Sequence, residues 1–199
     1  MNILPLLDEL RVMAQAGLCW ADNPYDRERY ERILELVSEY YGETIDIPPE
    51  EAHDRLSEEL GYVTPNIGVK AAIFDDDGRI LLMQRPEEPI AGTWDIPGGA
   101  VEPFEAPATT ATRETREETG LDTETIRVID AYFMEPNSIN PHGHILLLYL
   151  SVATGGTLQL SHEGDALQYW EIEDVPEWAL DFHGPALDAR EIWENDDNL

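Results

Sequence analysis

The segment from Gly99 to Leu121 has a fixed spacing of glycine and charged residues, and this spacing constrains the fold more than any other part of the chain. It reads GAVEPFEAPATTATRETREETGL. Five residues separate Gly99 from Glu105, and seven more precede the run that begins at Arg113. Gly120 stands where the C-terminus of a helix favours a left-handed residue. The segment therefore predicts a glycine turn followed by one helix, over about residues 106–119.

Three glutamates share one side of this predicted helix. Glu114, Glu117 and Glu118 are related by i, i+3 and i+4, so their carboxylates project from one stripe. Like charges repel unless a cation lies among them, and oxygen-only ligands suit a hard divalent ion, Mg²⁺ or Mn²⁺. A solvated helix face is the alternative, because 42 of the 199 residues are acidic. The flanking glycines favour the metal site.

The whole segment resembles the Nudix box, whose pattern is Gly, five residues, Glu, seven residues, then Arg-Glu-aliphatic-x-Glu-Glu-x-Gly-aliphatic. Every charged and glycine position of that pattern is matched. Thr115 stands at an aliphatic position, where it is expected to loosen the packing of the helix on its sheet, and Phe104 stands where many members have glycine. The resemblance implies an α/β fold, a Nudix-type α/β/α sandwich with a mixed sheet.

The resemblance also implies roles for individual residues. The metal ligands would be the Gly98 carbonyl, Glu114, Glu117 and Glu118. Arg113 would orient the glutamates, and Glu105 would bond to Arg113, while Gly99 and Gly120 would stabilise the box. The catalytic base would be a box glutamate, Glu114 or Glu118, or Glu163 on the later loop 161–165. A solvated loop acid is the alternative for Glu163.

Two residues outside the helix are candidates for substrate binding. Arg85 ends a predicted strand facing the box, where it is placed to bind a substrate phosphate; a structural ion pair with a nearby acid is the alternative. Glu102, on the loop before the helix, is placed to touch substrate or metal, unless it is simply a solvated acid. Trp94 is expected in the core.

The chain divides into a helical part, residues 1–60, and a mixed part, residues 64–199. In the first part, helices are predicted from Leu4 to near Gly17, after Pro24, and from Pro48-Pro49 to about Gly61. In the second, strands are predicted at 66–74, 79–85, 94–96, 125–134, 144–153, 157–160 and 167–171, and a last helix at 184–193. The turn at 75–78 ends in Asp-Gly, which favours a hairpin.

The helical part resembles, over roughly 40 residues, the N-terminal module that precedes some Nudix domains of the CDP-choline and ADP-ribose pyrophosphatase group. The similarity lies in residues 17–20 and 23–30. It implies a homodimer contact and one wall of the substrate pocket. The alternative is a helical cap whose aromatic residues Trp20, Tyr25 and Tyr30 belong to its core.

The charge balance limits the surroundings and partners of the protein. The formal net charge is −30, and lysine occurs once among the 12 basic residues. Such a surface repels nucleic acids and anionic membranes, and the chain repels itself unless salt screens it. This composition is similar to that of proteins from salt-loving microbes and predicts a halophilic cytoplasm. An acidic tract for a basic partner is the alternative, but here the charge is spread along the chain.

The remaining sequence features also predict a cytoplasmic protein. Cys19 is the one cysteine, so no intramolecular disulfide forms, and we expect it to be a buried small hydrophobe. The N-terminus lacks the basic start of a signal peptide, and the longest apolar run, 145–150, is too short to span a bilayer.

Together, the box and the N-terminal module predict a metal-dependent hydrolase. It would cleave the pyrophosphate linkage of a nucleoside diphosphate joined to another group, with ADP-ribose and CDP-choline as the leading substrates. A nucleoside triphosphate pyrophosphohydrolase is the enzymatic alternative. A nucleotide-sensing module without catalysis, or a purely acidic structural protein, would belong to another class of function.

Overall fold

The structure, a computed structural model, describes residues 3–45, 48–57, 66–86, 89–102, 104–136 and 142–196. The chain forms two compact units. The first comprises Met1–Asn66 and Phe133–His144, and the second comprises Ile67–Tyr132 and Ile145–Leu199.

Three helices form most of the first unit: α1 (Leu4–Trp20), α2 (Pro24–Ile45) and α3 (Pro49–Ser57). Each has proline at or next to its first position, where the missing N–H costs no hydrogen bond. On α2, Leu34, Val37 and Tyr41 are buried. They pack with residues of the other two helices, Leu4, Leu7, Ala14, Leu18 and Ala52.

Helix α1 continues past its predicted end at Gly17. Gly17 serves close packing there, since a Cβ atom on it would lie 2.4 Å from the ring of Tyr30 in α2. The predicted end of the third helix, Gly61, lies outside the described residues.

The corner between α1 and α2 corrects two expectations. Cys19 is exposed, and so are Trp20 and Tyr25, whereas Tyr30 packs against the core of the unit. These three exposed residues lie where one helix ends and the next begins.

A buried polar network joins α1 to residues 142–143 of the same unit. Asp8 accepts hydrogen bonds from the Gly143 amide at 3.1 Å and from Arg11 at 2.8 Å. Burial by itself would raise the pKa of Asp8, but hydrogen bonds from His142, Gly143 and Arg11 outweigh it and lower the pKa to about 2. The His142 ring packs edge-on against Tyr41, with the ring centres 5.3 Å apart.

Two three-stranded sheets build the second unit. Strands β1 (Asn66–Ile73), β5 (His144–Gly156) and β4 (Leu121–Met134) form one sheet in the order β1-β5-β4. Strands β3 (Trp94–Asp95), β2 (Ile80–Gln84) and β6 (Ala166–Trp170) form the other, in the order β3-β2-β6. Strand β2 is antiparallel to both neighbours, and Met83 lies opposite Asp95 on one side and Leu167 on the other.

Two helices, α4 (Pro107–Thr119) and α5 (His183–Glu194), complete this unit. Ala111 of α4 packs against Val69 of β1 and Tyr149 of β5, so α4 covers one face of the first sheet. The predicted fold class, mixed sheet with helices after an N-terminal helical part, is confirmed. The turn before β2 is also as predicted, with the Gly78 amide donating to the Asp75 carbonyl at 3.0 Å.

The strand predicted at 157–160 is absent. The amides of this segment bond to the end of α4: Thr157 N–H donates to Gly120 O at 3.2 Å, and Gln159 N–H to Thr119 O at 2.8 Å. These two amides thus satisfy carbonyl groups at the C-terminal end of α4 and do not pair with a neighbouring strand. No helix in the described part of the chain is long and apolar enough to cross a membrane.

Candidate active site

The Gly98–Gly99 turn lies beside β1, and a Cβ atom at either position would meet a close neighbour. The amides of Ala71 and Val69 donate to Pro97 O and Gly99 O, each at 2.9 Å, which fixes the turn against the strand. Gly98 has φ +146°, and a Cβ atom there would lie 2.1 Å from the carbonyl oxygen of Val69. A Cβ atom on Gly99 would lie 2.6 Å from the carboxylate carbon of Glu114. The turn therefore adjoins that carboxylate directly.

Helix α4 follows the turn with the predicted start and end. It has proline in its first turn, and Gly120 closes it in the left-handed conformation, with φ 75° and its N–H bonded to Arg116 O. Thr115 is fully buried, and its hydroxyl donates to Ala111 O at 2.8 Å. Its polar atom is thus satisfied inside the helix.

Glu118 is the buried carboxylate of the stripe. It is 1% exposed, and its Oε2 accepts the Gly98 N–H at 2.7 Å. Its Oε1 lies 3.6 Å from Nη1 of Arg85. Burial raises the pKa of Glu118 to about 7, against the lowering influence of Lys70, Arg85 and the Gly98 amide. A further positive charge beside Glu118 would therefore stabilise the ionised form of its carboxylate.

Arg113 contacts three other glutamates, Glu105 before α4 and Glu114 and Glu117 within it. Its Nη2 lies 3.0 Å from Glu105, and its Nη1 contacts Glu114 at 2.9 Å and Glu117 at 3.0 Å. The hydrogen bond from Arg113 lowers the pKa of Glu105, and hydrogen bonds to the glutamates, Glu105 first, raise the pKa of Arg113. The predicted contact between Glu105 and Arg113 is thus present in the structure.

A buried ion cluster lies beside Glu118: the ion pair that was the alternative for Arg85 is present, whereas Lys70 and Asp95 were not predicted as part of the site. Lys70 of β1 and Arg85, which follows β2, both contact the carboxylate of Asp95 in β3; the distances to its Oδ2 are 2.8 Å from Lys70 Nζ and 2.7 Å from Arg85 Nε. Burial by itself would lower the pKa of Arg85, but Asp95 and Glu118 raise it. Two signals in the sequence point to the cluster: Lys70 is the one lysine, and Asp95 interrupts an apolar strand.

The loop that carries Glu163 lies between the end of α4 and the end of β2. Ser161 N–H donates to Glu118 O at 3.3 Å, and Asp165 N–H donates to Gln84 O at 3.0 Å. Glu163 is close enough to contribute to the raised pKa of Arg85, after Asp95 and Glu118. The structure thus brings Glu163 into the neighbourhood of the box.

Glu102 lies on the loop before α4 and is exposed, with its carbonyl bonded to the Glu105 amide at 3.1 Å. Phe104, three residues before α4, has φ 69° and a fully exposed side chain. The position thus has the backbone conformation that favours glycine, the residue found there in many Nudix proteins.

The donors at the turn fit a hard divalent cation. Glu114 lies against Gly99 and Glu118 is bonded to Gly98, so two carboxylates meet one turn, and every side-chain donor is an oxygen atom. In the described ranges, no three His, Cys, Asp or Glu side chains converge closely enough to hold a metal as they stand. Arg113 holds Glu114 and Glu117, so these two side chains would have to release it to join Glu118.

Comparison with known proteins agrees with this geometry. The family model described as the NUDIX domain matches residues 64–189, and the one described as the UDP-X-like, N-terminal oligomerisation domain matches residues 1–56. YjhB of Bacillus subtilis is 35% identical over 120 residues, which span 60% of this chain and 56% of that protein. The CTP pyrophosphohydrolase of Escherichia coli K12 is 36% identical over 57% of this chain and 82% of its own length.

Solved structures show the same fold. An ADP-ribose pyrophosphatase from Streptococcus suis matches with a TM-score of 0.56 and 26% identity, over 68% of this chain and 96% of that one. A UDP-X diphosphatase matches with a TM-score of 0.59 and 24% identity, over 96% of this chain and 94% of that one, a likeness that shows the fold alone. With a family model matching well over half its length, the chain belongs to the Nudix hydrolase family.

Proposed function

We propose that this protein hydrolyses the pyrophosphate bond of a nucleoside diphosphate joined to another group, with Mg²⁺ or Mn²⁺ as its cofactor. The observation that carries the proposal is the buried Glu118 carboxylate on the Gly98 amide, with Glu114 beside Gly99 and Arg85 within 3.6 Å of Glu118. Two carboxylates and one guanidinium group thus lie around a single turn.

ADP-ribose and CDP-choline are the substrates we propose first. Relatives named ADP-ribose pyrophosphatase include one from Methanocaldococcus jannaschii, 28% identical over 67% of this chain and 78% of its own length. The CTP pyrophosphohydrolase of Escherichia coli supports a nucleoside triphosphate as the second candidate.

In the proposed reaction, water adds to one phosphorus of the diphosphate and the bridging P–O bond breaks. The products are a nucleoside monophosphate and the phosphorylated second group. A divalent ion held by Glu114, Glu117, Glu118 and the Gly98 carbonyl would neutralise charge on the diphosphate and lower the pKa of bound water.

The protein's own groups would position the reactants and take up the proton. Arg85 would bind a phosphate oxygen, with Glu102 at the rim of the site. Glu163 or a box glutamate, Glu114 or Glu118, would accept the proton of the attacking water. Arg113 would keep the outer glutamates oriented, supported by Glu105, while Gly99 and Gly120 hold the two ends of the box in place.

A panel of nucleoside diphosphate derivatives, assayed with Mg²⁺ in molar KCl, tests the activity. We expect release of a nucleoside monophosphate, and Glu118→Gln should reduce turnover at least about a hundredfold with little loss of fold, since the variant removes one anionic ligand. Glu191→Gln, an exposed glutamate of α5, is the matched control and should retain turnover. Near-normal turnover in Glu118→Gln would contradict the assigned role.

We also propose that residues 1–60 form a dimerisation module and residues 64–199 the hydrolase domain. The matching N-terminal family is described as an oligomerisation domain, and α1 and α2 expose large apolar side chains, among them Met13 and Tyr25. Such a concentration of apolar surface is typical of an interface. Sedimentation in molar KCl should give twice the chain mass, and Met13→Asp should give the mass of one chain; a wild-type monomer would contradict the proposal.

The composition further supports a halophilic cytoplasm as the setting. The net charge of −30 requires concentrated counterions for a compact state, and 11 of the 12 basic residues are arginine.

A further inference from the structure

The chain contains a single lysine, Lys70, and the structure buries it. In a protein of net charge −30, the other 11 basic residues are all arginine. Lys70 is 6% exposed, in the middle of the second unit. Burial lowers the pKa of its amine, and Asp95 counteracts this. A buried ammonium group is costly to the fold unless it is paired, so its place in the site invites a functional explanation.

Lys70 and Arg85 share one oxygen atom of Asp95. Lys70 Nζ lies 2.8 Å from Asp95 Oδ2, and Arg85 Nε donates to the same atom at 2.7 Å. Asp95 is 4% exposed, and its other oxygen, Oδ1, has no hydrogen-bond partner in the described part of the chain. The two cations therefore fix the orientation of this carboxylate, because Lys70 and Arg85 contact the same oxygen atom.

The other end of the Arg85 guanidinium reaches the box. With Nε on Asp95, its Nη1 lies 3.6 Å from Oε1 of Glu118. Of the two cations in the cluster, Arg85 is the one that solvent and an incoming phosphate can reach, because its side chain is 22% exposed. Asp95 thus links Lys70 to the guanidinium that faces Glu118.

Lys70 itself is held on two further sides. A Cβ atom on Gly98 would lie 2.8 Å from the Lys70 Cα, so the glycine turn packs directly on its backbone. The Lys70 Nζ lies 5.3 Å from the centre of the Phe182 ring, a cation–π distance, and Phe182 is 2% exposed. The glycine turn, Phe182 and Asp95 thus hold Lys70 in place.

We propose that Lys70 is a positioning residue of the site: through Asp95 it holds the Arg85 guanidinium beside Glu118, in the orientation that receives the diphosphate of the substrate. This inference rests on the proposed function, since it assigns Arg85 to the phosphate. A purely structural Lys70 would affect only the stability of the fold.

A double-mutant cycle in molar KCl separates these roles. Lys70→Met keeps the length of the side chain and removes its charge, and Arg85→Gln removes the guanidinium. We expect Lys70→Met to raise KM about tenfold with a smaller change in kcat, because a charged hydrogen bond to phosphate is misaligned. If Lys70 acts through Arg85, the double variant should be no worse than Arg85→Gln alone.

Ile80→Val is the control for lost stability, because it removes one methylene group from a fully buried strand residue outside the cluster. It should lower the thermal midpoint without changing KM. The inference would be overturned if the effects of the two substitutions on KM multiply in the double variant. It would also be overturned if Lys70→Met lowers the thermal midpoint and leaves KM unchanged.

A second readout needs no turnover. Because lysine occurs once, protein labelled with ¹³Cε-lysine gives one side-chain NMR signal. Arg85→Gln should shift this signal, and so should ADP-ribose added to the wild type without divalent metal. If Arg85→Gln leaves the chemical shift of this signal unchanged, the inference is overturned even if hydrolysis is observed. A shifted signal without hydrolysis of any substrate would instead contradict the proposed function.

Discussion

At the scale of single residues, Glu118 combines burial with a network of donors. Its carboxylate is removed from water, yet it receives the Gly98 amide and faces Arg85. Burial outweighs these partners and raises the pKa to about 7. In the metal-free protein the proton on this group therefore contributes to the stability of the fold, and a bound cation would take its place.

This linkage predicts how stability depends on pH. The pKa of Glu118 is about 7 in the folded protein against 4.5 for a free glutamate, so its contribution to stability is complete below about pH 4.5 and is lost as the pH rises through about 7. The full difference amounts to about 3 kcal/mol. Urea unfolding in EDTA and molar KCl should show the wild type losing this much relative to Glu118→Gln.

The comparison with Glu118→Gln cancels the titration of the other acids, which both proteins share. Above about pH 8, in EDTA, the variant should be the more stable of the two. A stability difference that stays constant between about pH 4.5 and pH 8 would contradict the account of this residue.

At the scale of elements, the site is the meeting of α4 with the Gly98–Gly99 turn. Gly99→Ala tests this contact, because the new Cβ atom would lie 2.6 Å from the Glu114 carboxylate carbon. The end of that side chain can move, so we expect a loss of stability of less than about 1 kcal/mol. The displaced carboxylate should lower kcat/KM at least about tenfold.

Gly184→Ala is the matched control, since nothing lies within 4 Å of a Cβ atom at this position in α5. It should leave both stability and kcat/KM close to the wild-type values. If Gly99→Ala has the same kcat/KM as Gly184→Ala in the Mg²⁺-dependent assay, the position of Glu114 beside the turn is not required for activity.

The elements also show what the sequence could predict. Helix α4 was predictable because its proline start, its glycine end and its charge spacing are all local. The cluster of Lys70, Asp95 and Arg85 was not, because the pairing of Lys70 with Asp95 spans 25 residues and depends on how separate strands lie side by side. The segment 157–160 alternates like a strand, but the alternation cannot tell that its amides bond to the end of α4.

At the scale of the whole molecule, the net charge of −30 sets the conditions for folding. We expect the thermal midpoint to rise steeply between about 0.1 M and about 1 M KCl, where the screening length falls from about 10 Å to about 3 Å, and to level off above that. Sucrose, which does not screen charge, is the control and should not reproduce the steep rise. A midpoint that does not respond to KCl would show that self-repulsion is unimportant.

We propose above all that the carboxylates of α4, at the Gly98–Gly99 turn, bind the divalent ion used for hydrolysis. Anomalous diffraction from crystals soaked in MnCl₂ tests it most directly. We expect a manganese peak within coordinating distance of Glu114, Glu117, Glu118 and the Gly98 carbonyl. Crystals without a peak at this place, from a preparation that hydrolyses its substrate with Mn²⁺, would contradict it.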